Sequence, residues 1–263
     1  MRVFLAVLTL VVMNLSACTT TTEVNGKVVP NADTSVNEGD AKRRVALRLQ
    51  LASRYYEQGN YNVALEELSR TLQIDPDNAA AYGLRALVQM ELGDKTQAEA
   101  DFGRALKLDA ANPDLNNNYG WYLCRNGRER DAIAYFHKAA NVRLYQTPGL
   151  AYRNAGTCLM QIRDFAGAEP ELKRAFELDA ADPLTKLQLT RLYIALRRTD
   201  RARFYLGLLE KSLGESSQTI WLSLRIARAD GDARAQRQFA EELSRRFPDS
   251  AEAAALKRGA FDE

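Results

Sequence analysis

The sequence predicts an all-α protein made of six consecutive pairs of antiparallel helices, about 12–13 helices in all. Alanines recur with separations of 34, 34, 36 and 34 residues, glycines recur 34 residues apart, and a small residue stands twelve positions before each of those alanines. A period of this length is typical of helical repeats, in which each unit leaves an apolar face that its neighbour covers. The alanines are Ala64, Ala98, Ala132, Ala168 and Ala202, the glycines are Gly59, Gly93 and Gly127, and the small residues are Ala52, Ala86, Gly120, Gly156 and Thr190.

The first 17 residues have the pattern of an export signal. Met1 and Arg2 give a positive start, and an apolar run without charge extends from Val3 to Leu15. This run is shorter than the ~20 apolar residues that a membrane-spanning helix needs. We therefore assign residues 1–17 to a signal peptide.

The export signal ends in the sequence Leu15-Ser16-Ala17-Cys18, which resembles the lipobox of bacterial lipoproteins. The resemblance implies that Cys18 receives a diacylglycerol, that the chain is cleaved before Cys18, and that the new amino terminus is N-acylated. In that family an aspartate after the cysteine commonly signals inner-membrane retention, and Thr19 stands there instead. The expected location is the outer membrane, facing the periplasm. The alternative is an ordinary signal-peptide cysteine beside a small-residue cleavage site.

Residues 18–40 are predicted to be the acylated cysteine and a flexible tether. The segment is rich in Thr, Asn, Asp, Gly and Pro and shows no sustained helical periodicity. A flexible chain of this length would hold the folded body on the order of 25 Å from the lipid. Residues 41–263 are then the repeat body with its C-terminal tail.

The first repeat shows the internal pattern best, in the stretch "LASRYYEQGNYNVALEELSRTLQIDP". Its marker residues, in order, are Leu51, Ala52, Tyr55, Gly59, Tyr61, Ala64, Leu68 and Pro76. This pattern resembles the tetratricopeptide repeat, although Arg48 replaces the aromatic residue expected near the start. Small residues at the helix crossing let the two backbones approach to ~8–10 Å, and glycine suits the turn between the helices. The resemblance implies a right-handed α-solenoid of six tetratricopeptide repeats.

The repeat boundaries follow from the period. Repeats are predicted to start near Val45, Ala79, Pro113, Gly149, Pro183 and Ser217. Thr147 and Pro148 are two extra residues between the third and fourth repeats. The sixth repeat departs most from the pattern, with Gln236 and Leu224 at the small-residue positions, so it and the tail "AEAAALKRGAFDE" are expected to cap the solenoid.

Composition argues against several function classes. The net charge is only +2 although 27% of residues are charged, so the chain lacks the strong basic field of a nucleic-acid-binding protein. The sequence has a single histidine and contains no HExxH, Cys/His zinc or GxSxG motif. We predict no catalytic or metal site, no small-molecule substrate and no cofactor beyond the N-terminal lipid.

The tetratricopeptide resemblance implies a concave groove, lined by the first helix of each repeat, that binds a protein segment. Carrying the groove positions over residue by residue gives the candidate partner-binding set Leu49, Tyr56, Leu87, Met90, Asn117, Trp121, Arg125 and Arg153. The richest stretch is "NNNYGWYLCRNGR". Its asparagines could bond a bound peptide backbone or simply be solvated, and Trp121 could contact a partner or belong to the core.

Cys124 and Cys158 are predicted to form a disulfide. Both lie in first helices, at position 12 of the third repeat and position 10 of the fourth. Side chains two positions apart on a helix point ~200° away from one another, so these two can face each other across neighbouring parallel helices. An exported chain also meets an oxidising compartment. Two buried free thiols are the alternative.

A lipobox, a tether and six repeats together resemble the lipoprotein family of type IV pilus biogenesis, whose members act as pilotins for the outer-membrane secretin. The stretches "LSAC", "LASRYYEQGNY" and "NNYGWYLC" carry this resemblance. It implies a membrane-anchored adaptor, not an enzyme, that binds the secretin and promotes its localisation and multimer assembly.

Two other functions remain open at this point. One is a scaffold of another envelope machine, for outer-membrane barrel assembly or cell-wall synthesis. The other is an enzyme with a repeat domain, which would need a catalytic domain. No unassigned span longer than the tether is present to hold one.

Overall fold

The computed structural model describes residues 23–24, 27–28 and 32–261. The predicted signal peptide and Cys18 lie outside these residues. Two short strands, β1 (Glu23–Val24) and β2 (Lys27–Val28), pair antiparallel. All the remaining regular structure in the described part is helical.

Thirteen helices follow in the described part of the chain, and the first twelve form six antiparallel pairs. They are α1 (Ala32–Glu57), α2 (Tyr61–Ile74), α3 (Ala79–Glu91), α4 (Lys95–Leu108), α5 (Pro113–Arg125), α6 (Glu129–Ala140), α7 (Pro148–Gln161), α8 (Phe165–Leu178), α9 (Pro183–Ala195), α10 (Thr199–Leu213), α11 (Ser217–Asp230), α12 (Ala233–Arg246) and α13 (Ala251–Arg258). The prediction of an all-α tetratricopeptide-repeat solenoid is confirmed. The starts of α3, α5, α9 and α11 coincide with predicted repeat starts.

The first helices begin where the sequence supplies a cap. Asn112 accepts a hydrogen bond from the Leu115 amide at 3.1 Å, and Pro113 occupies the first turn, where its missing N–H costs nothing. Asp182 likewise accepts from the amides of Leu184 and Thr185. The Asn-Pro and Asp-Pro pairs therefore fix where α5 and α9 start.

The turn inside each repeat requires a left-handed residue. Four repeats use glycine there and two use arginine: Gly59 (φ 74°), Gly93 (φ 81°), Gly127 (φ 77°), Arg163 (φ 59°), Arg197 (φ 56°) and Gly231 (φ 76°). Only glycine adopts this conformation without a steric cost from its Cβ. The fourth and fifth repeats therefore carry backbone strain that the others avoid.

Small residues set the distance between the paired helices. The five periodic alanines are all completely buried. A Cβ added at Gly120 would lie 2.9 Å from the Phe136 ring and 3.2 Å from the Ala132 carbonyl oxygen. The close approach of α5 and α6 thus depends on glycine at the crossing.

The contacts between helices define the curvature. The backbones of successive first helices (α1, α3, α5, α7, α9 and α11) lie close together, whereas among the described residues second helices meet only through side chains, as His137 of α6 meets Glu171 of α8. A stack whose first helices lie closer together than its second helices curves toward the first helices. The first helices therefore line the concave face.

The start of α1 corrects the predicted tether. The helix begins at Ala32, so residues 32–40 are helical and not irregular. A helix that already exists adds one hydrogen bond per residue without a new nucleation cost, and no proline interrupts the chain between Pro30 and Pro76. A Glu38–Lys42 ion pair at 2.8 Å, four residues apart, supports this extension.

The C-terminal helix covers the open end of the solenoid. The Phe261 ring stacks on Trp221 of α11 at 5.3 Å between centroids, and Arg228 lies over the same ring. Leu243 and Ala253 are buried beneath them. Throughout the described residues, no helix combines the length and apolar character needed to cross a membrane.

Candidate partner-binding groove

One stripe of side chains runs along the concave face. It is the ninth residue of each repeat, counted from the predicted starts, and we call it the position-9 stripe. Its members are Ser53, Leu87, Trp121, Thr157, Arg191 and Arg225, and all six are half-buried. The residue four positions later is exposed in each of the first five repeats. The stripe is thus open to a partner while still resting on the core.

The stripe is apolar in the second and third repeats. Leu87, Met90 and Trp121 are half-buried and pack against the cluster that contains the buried rings of Phe102 and Phe136. Leu49 and Tyr56 take the corresponding place against the core of the first repeat. A rigid, partly exposed apolar surface of this kind can bury side chains of a bound segment.

Arg125 lies at the exposed border of this surface. Its guanidinium donates to the Glu91 carboxylate at 2.8 Å, and both side chains remain substantially solvated. Exposed pairs of this type contribute only ~0–1 kcal/mol to stability. Arg125 can therefore exchange Glu91 for a partner's carboxylate at little cost.

Asn117 does not line the groove as expected. Asn117 is 5% exposed. Its side-chain Oδ1 accepts a hydrogen bond from the side-chain Nδ2 of Asn154, in the next repeat, at 3.0 Å. Neighbouring Asn116 is buried as well and donates to the carbonyls of Ala110 and Asn112. Asn116 therefore stabilises the turn before α5, and Asn117 connects α5 to α7. Both side chains are used within the protein and not for contact with a partner.

Arg153 is also committed within the protein. Its guanidinium donates to Asp182 at 2.7 Å, with both side chains largely buried. Burial raises the pKa of Asp182, but hydrogen bonds from Thr185 and Arg153 and the arginine charge outweigh it and hold the pKa below its usual value. Arg153 therefore joins the fourth repeat to the cap of α9 and is a weak candidate for partner contact.

Cys124 and Cys158 are joined by a disulfide in the structure, with their Cα atoms 5.9 Å apart. Both residues are buried. The bond connects α5 to α7, the first helices of the third and fourth repeats. It therefore spans the junction that contains the two-residue insertion.

Two features of the solenoid were missed by sequence reasoning. His137 had no assigned partner, yet its Nε2 lies 3.0 Å from both carboxylate oxygens of Glu171. The two residues are 34 positions apart, so the repeat period itself was the available signal. Arg191 lies in the fifth repeat, whereas the candidate groove set ends at Arg153 in the fourth.

No cluster of three or more His, Cys, Asp or Glu side chains suited to a metal occurs among the described residues. The concave face instead presents an apolar surface at Leu87 and Trp121, with the charged side chains of Arg125 and Glu91 at its border.

Comparison with known proteins identifies the repeat and a full-length relative. Residues 52–93 match a model of the TPR repeat, and residues 84–149 match a model of the tetratricopeptide repeat. Over 253 residues the chain is 27% identical to the type IV pilus assembly protein PilF of Pseudomonas aeruginosa, covering 96% of this chain and 97% of that protein. The cellulose synthase operon protein C of Xanthomonas axonopodis is 26% identical over 207 residues, but these are only 14% of its length.

Solved structures give the same result. The crystal structure of PilW, a widely conserved type IV pilus biogenesis factor, superposes with a TM-score of 0.75 at 29% identity, covering 81% of this chain and 97% of that one. The Pseudomonas aeruginosa PilF structure has a TM-score of 0.73 at 24% identity, covering 84% and 99%. The chain is therefore a tetratricopeptide-repeat protein homologous to the type IV pilus proteins PilF and PilW.

Proposed function

We propose that this protein is an outer-membrane-anchored adaptor that binds the secretin of a type IV pilus system and promotes its localisation and multimer assembly. The observation that carries the proposal is similarity along almost the whole chain to a type IV pilus assembly protein. Proteins that share only the repeat match part of the chain or are themselves far longer.

The mechanism that we propose is non-covalent. Diacylglycerol and N-acyl chains on Cys18 hold the protein in the outer membrane, where each buried methylene contributes ~0.8 kcal/mol. The apolar part of the position-9 stripe covers an amphipathic segment of a secretin subunit that would otherwise aggregate in the periplasm. Joining these two attachments raises the effective concentration of subunits at the membrane without any new contact. The proposal involves no catalysis.

Deletion of the gene tests the function. We expect heat-resistant secretin multimers and surface pili to disappear, and the wild-type gene to restore both. Normal multimers in the deletion strain, together with a defect in barrel assembly or cell-wall synthesis, would assign the protein to another envelope machine.

Replacement of Cys18 tests the anchor. We expect Cys18→Ser to remove the protein from the outer-membrane fraction while circular dichroism of the body stays unchanged, because Cys18 precedes the first helix by 14 residues. Wild-type recovery in that fraction would contradict lipidation at this residue.

Truncation of the apolar stripe tests the binding surface. Trp121→Ala and Leu87→Ala should each weaken secretin binding by ~1–3 kcal/mol, the usual range for interface anchors. Leu178→Ala is a matched control, because Leu178 is exposed at the end of a second helix. Equal affinity for the groove variants and the wild type, measured by surface plasmon resonance, would place the contact elsewhere.

A further inference from the structure

The position-9 stripe changes chemistry along the solenoid. Leu87 and Trp121 make it apolar in the second and third repeats, whereas Arg191 and Arg225 make it cationic in the fifth and sixth. All four residues are half-buried and occupy the same place in successive first helices. A segment that follows the concave face therefore meets an apolar region at one end and guanidinium groups at the other.

Arg191 differs from the half-buried arginines of the first, second and fourth repeats. Arg48 donates to Glu67 at 2.5 Å, Arg85 to Asp101 at 2.6 Å and Arg153 to Asp182 at 2.7 Å. Arg191 makes no hydrogen bond and no ion pair with any described residue. Its guanidinium, with five N–H donors, is therefore available to a ligand.

The surroundings of Arg191 favour an anion. Burial lowers the pKa of this guanidinium, and the more distant charge of Glu252 on α13 opposes that effect only in part. Burial has removed water from this guanidinium, and no carboxylate replaces that water. Binding a carboxylate should therefore be favourable, because charge-assisted hydrogen bonds are strong where water is scarce. Arginine also binds a carboxylate through two parallel N–H groups, which fixes its orientation.

We propose that Arg191 is a specificity-determining contact of the groove, and that the bound segment is an acidic amphipathic one whose carboxylate side chain reaches Arg191 while its apolar side chains lie on Leu87 and Trp121. The inference rests on the proposed function for the identity of the partner. Trp121 and Arg191 are two repeats apart, or ~16–20 Å at the usual spacing of packed helices. About six residues of an extended segment, or about 13 of a helical one, span that distance.

The test compares Arg191→Gln with Arg174→Gln in the full-length lipidated protein. Arg174 lies on the second helix α8, is exposed, and pairs only with Glu177 on the same helix. Binding to purified, detergent-solubilised secretin is measured between low and moderate salt. We expect Arg191→Gln to raise the Kd at least tenfold at low salt and to flatten its salt dependence, Arg191→Lys to recover part of the affinity, and Arg174→Gln to stay within twofold of wild type.

A second arm does not depend on the secretin. Hexaglutamate is titrated into the protein while the arginine Nε–Hε resonances are followed by NMR, with the Arg191 signal assigned from Arg191→Gln. The Arg191 signal should shift at lower peptide concentration than the signal of Arg174. Secretin binding that is equal in wild type and Arg191→Gln overturns the inference and leaves the proposed function intact. If wild-type protein does not bind secretin at all, the proposed function is wrong. The inference about Arg191 is then decided by the peptide: it is supported if the Arg191 signal shifts at a lower hexaglutamate concentration than the Arg174 signal, and overturned if it does not.

Discussion

The junction between the third and fourth repeats and the junction between the fourth and fifth are held by different chemistry. The first contains the Cys124–Cys158 disulfide, the neutral hydrogen bond between Asn154 and Asn117, and the contact of His137 with Glu171. In the second, the carboxylate of Glu169 accepts hydrogen bonds from three side chains of the fifth repeat. These are Tyr193 at 3.0 Å, Arg198 at 2.6 Å and Arg201 at 3.0 Å.

The difference follows from the connections. The third and fourth repeats are separated by two extra residues, Thr147 and Pro148, which interrupt the regular spacing of helices. A covalent bond fixes the relative position of α5 and α7 despite that longer link. The fourth and fifth repeats follow one another at the standard period, and exchangeable ionic contacts suffice there. The first junction should therefore respond to reductant, whereas the Glu169 contacts of the second should respond to acid.

Removal of the disulfide should have the largest effect. A crosslink across 34 residues lowers the entropy of the unfolded chain, and its loss should cost about 2–4 kcal/mol in the free energy of unfolding. Urea denaturation of Cys124→Ala/Cys158→Ala measures this, and reductant should produce the same loss in the wild type but none in the double variant. Alkylation of both cysteines in denatured, unreduced mature protein would show that the bond is absent.

Replacement of Glu169 by glutamine should destabilise the other junction by about 1–2 kcal/mol at neutral pH, because three donors lose their anionic acceptor. Burial raises the pKa of Glu169, but the hydrogen bonds from Tyr193 and Arg198 and the arginine charges lower it overall. A folded-state pKa below the ordinary value of 4.5 means that the stabilisation is complete above that pH and is lost as the pH falls further.

The pH dependence separates this effect from simple packing. The difference between wild type and Glu169→Gln should shrink as the pH falls below 4.5, the ordinary pKa of the carboxyl group. Hydrogen exchange of α8 to α10 should report the loss, while α5 to α7 stay protected by the disulfide. A difference that is the same at pH 7 and pH 3.5 would mean that charge at Glu169 plays no part.

Asn154→Ala should cost about 1 kcal/mol. The change leaves the carbonyl oxygen of Asn117 without the donor from the next repeat, in a side chain that is only 5% exposed. Asn141→Ala, at an exposed asparagine that follows α6, is the control and should stay within about 0.5 kcal/mol of wild type. Equal stability of the two variants would show that the Asn154–Asn117 bond contributes nothing.

The sequence was sufficient for the helix pairs, because the repeat period marks each helix crossing and each cap. It also placed Leu87 and Trp121 on first helices, where both are half-buried, and their contact with a partner stays a prediction. It could not give the direction of Asn117 or Arg153, since Asn117 is held by Asn154 of the following repeat and Arg153 by Asp182, the cap of α9. The N-terminal boundary of α1 was missed because residues 32–40 are mostly polar and show no hydrophobic period.

The fourth repeat belongs to both junctions, and its internal turn offers the smallest test. Arg163 adopts φ 59° where the third repeat has Gly127 at φ 77°. A non-glycine residue in this region costs ~1–2 kcal/mol, from which the greater freedom of glycine in the unfolded chain subtracts ~0.4–1 kcal/mol. Arg163 is exposed and has no hydrogen bond or ion pair with the described residues, so Arg163→Gly loses no contact.

The Arg163→Gly variant should be more stable than wild type by about 0.5–1 kcal/mol, and the reverse change Gly127→Arg should be less stable by a similar amount. Because the turn lies outside both junctions, the responses to reductant and to acid should keep their wild-type size in both variants. A loss of stability in Arg163→Gly would mean that the arginine makes a contact that outweighs its backbone strain.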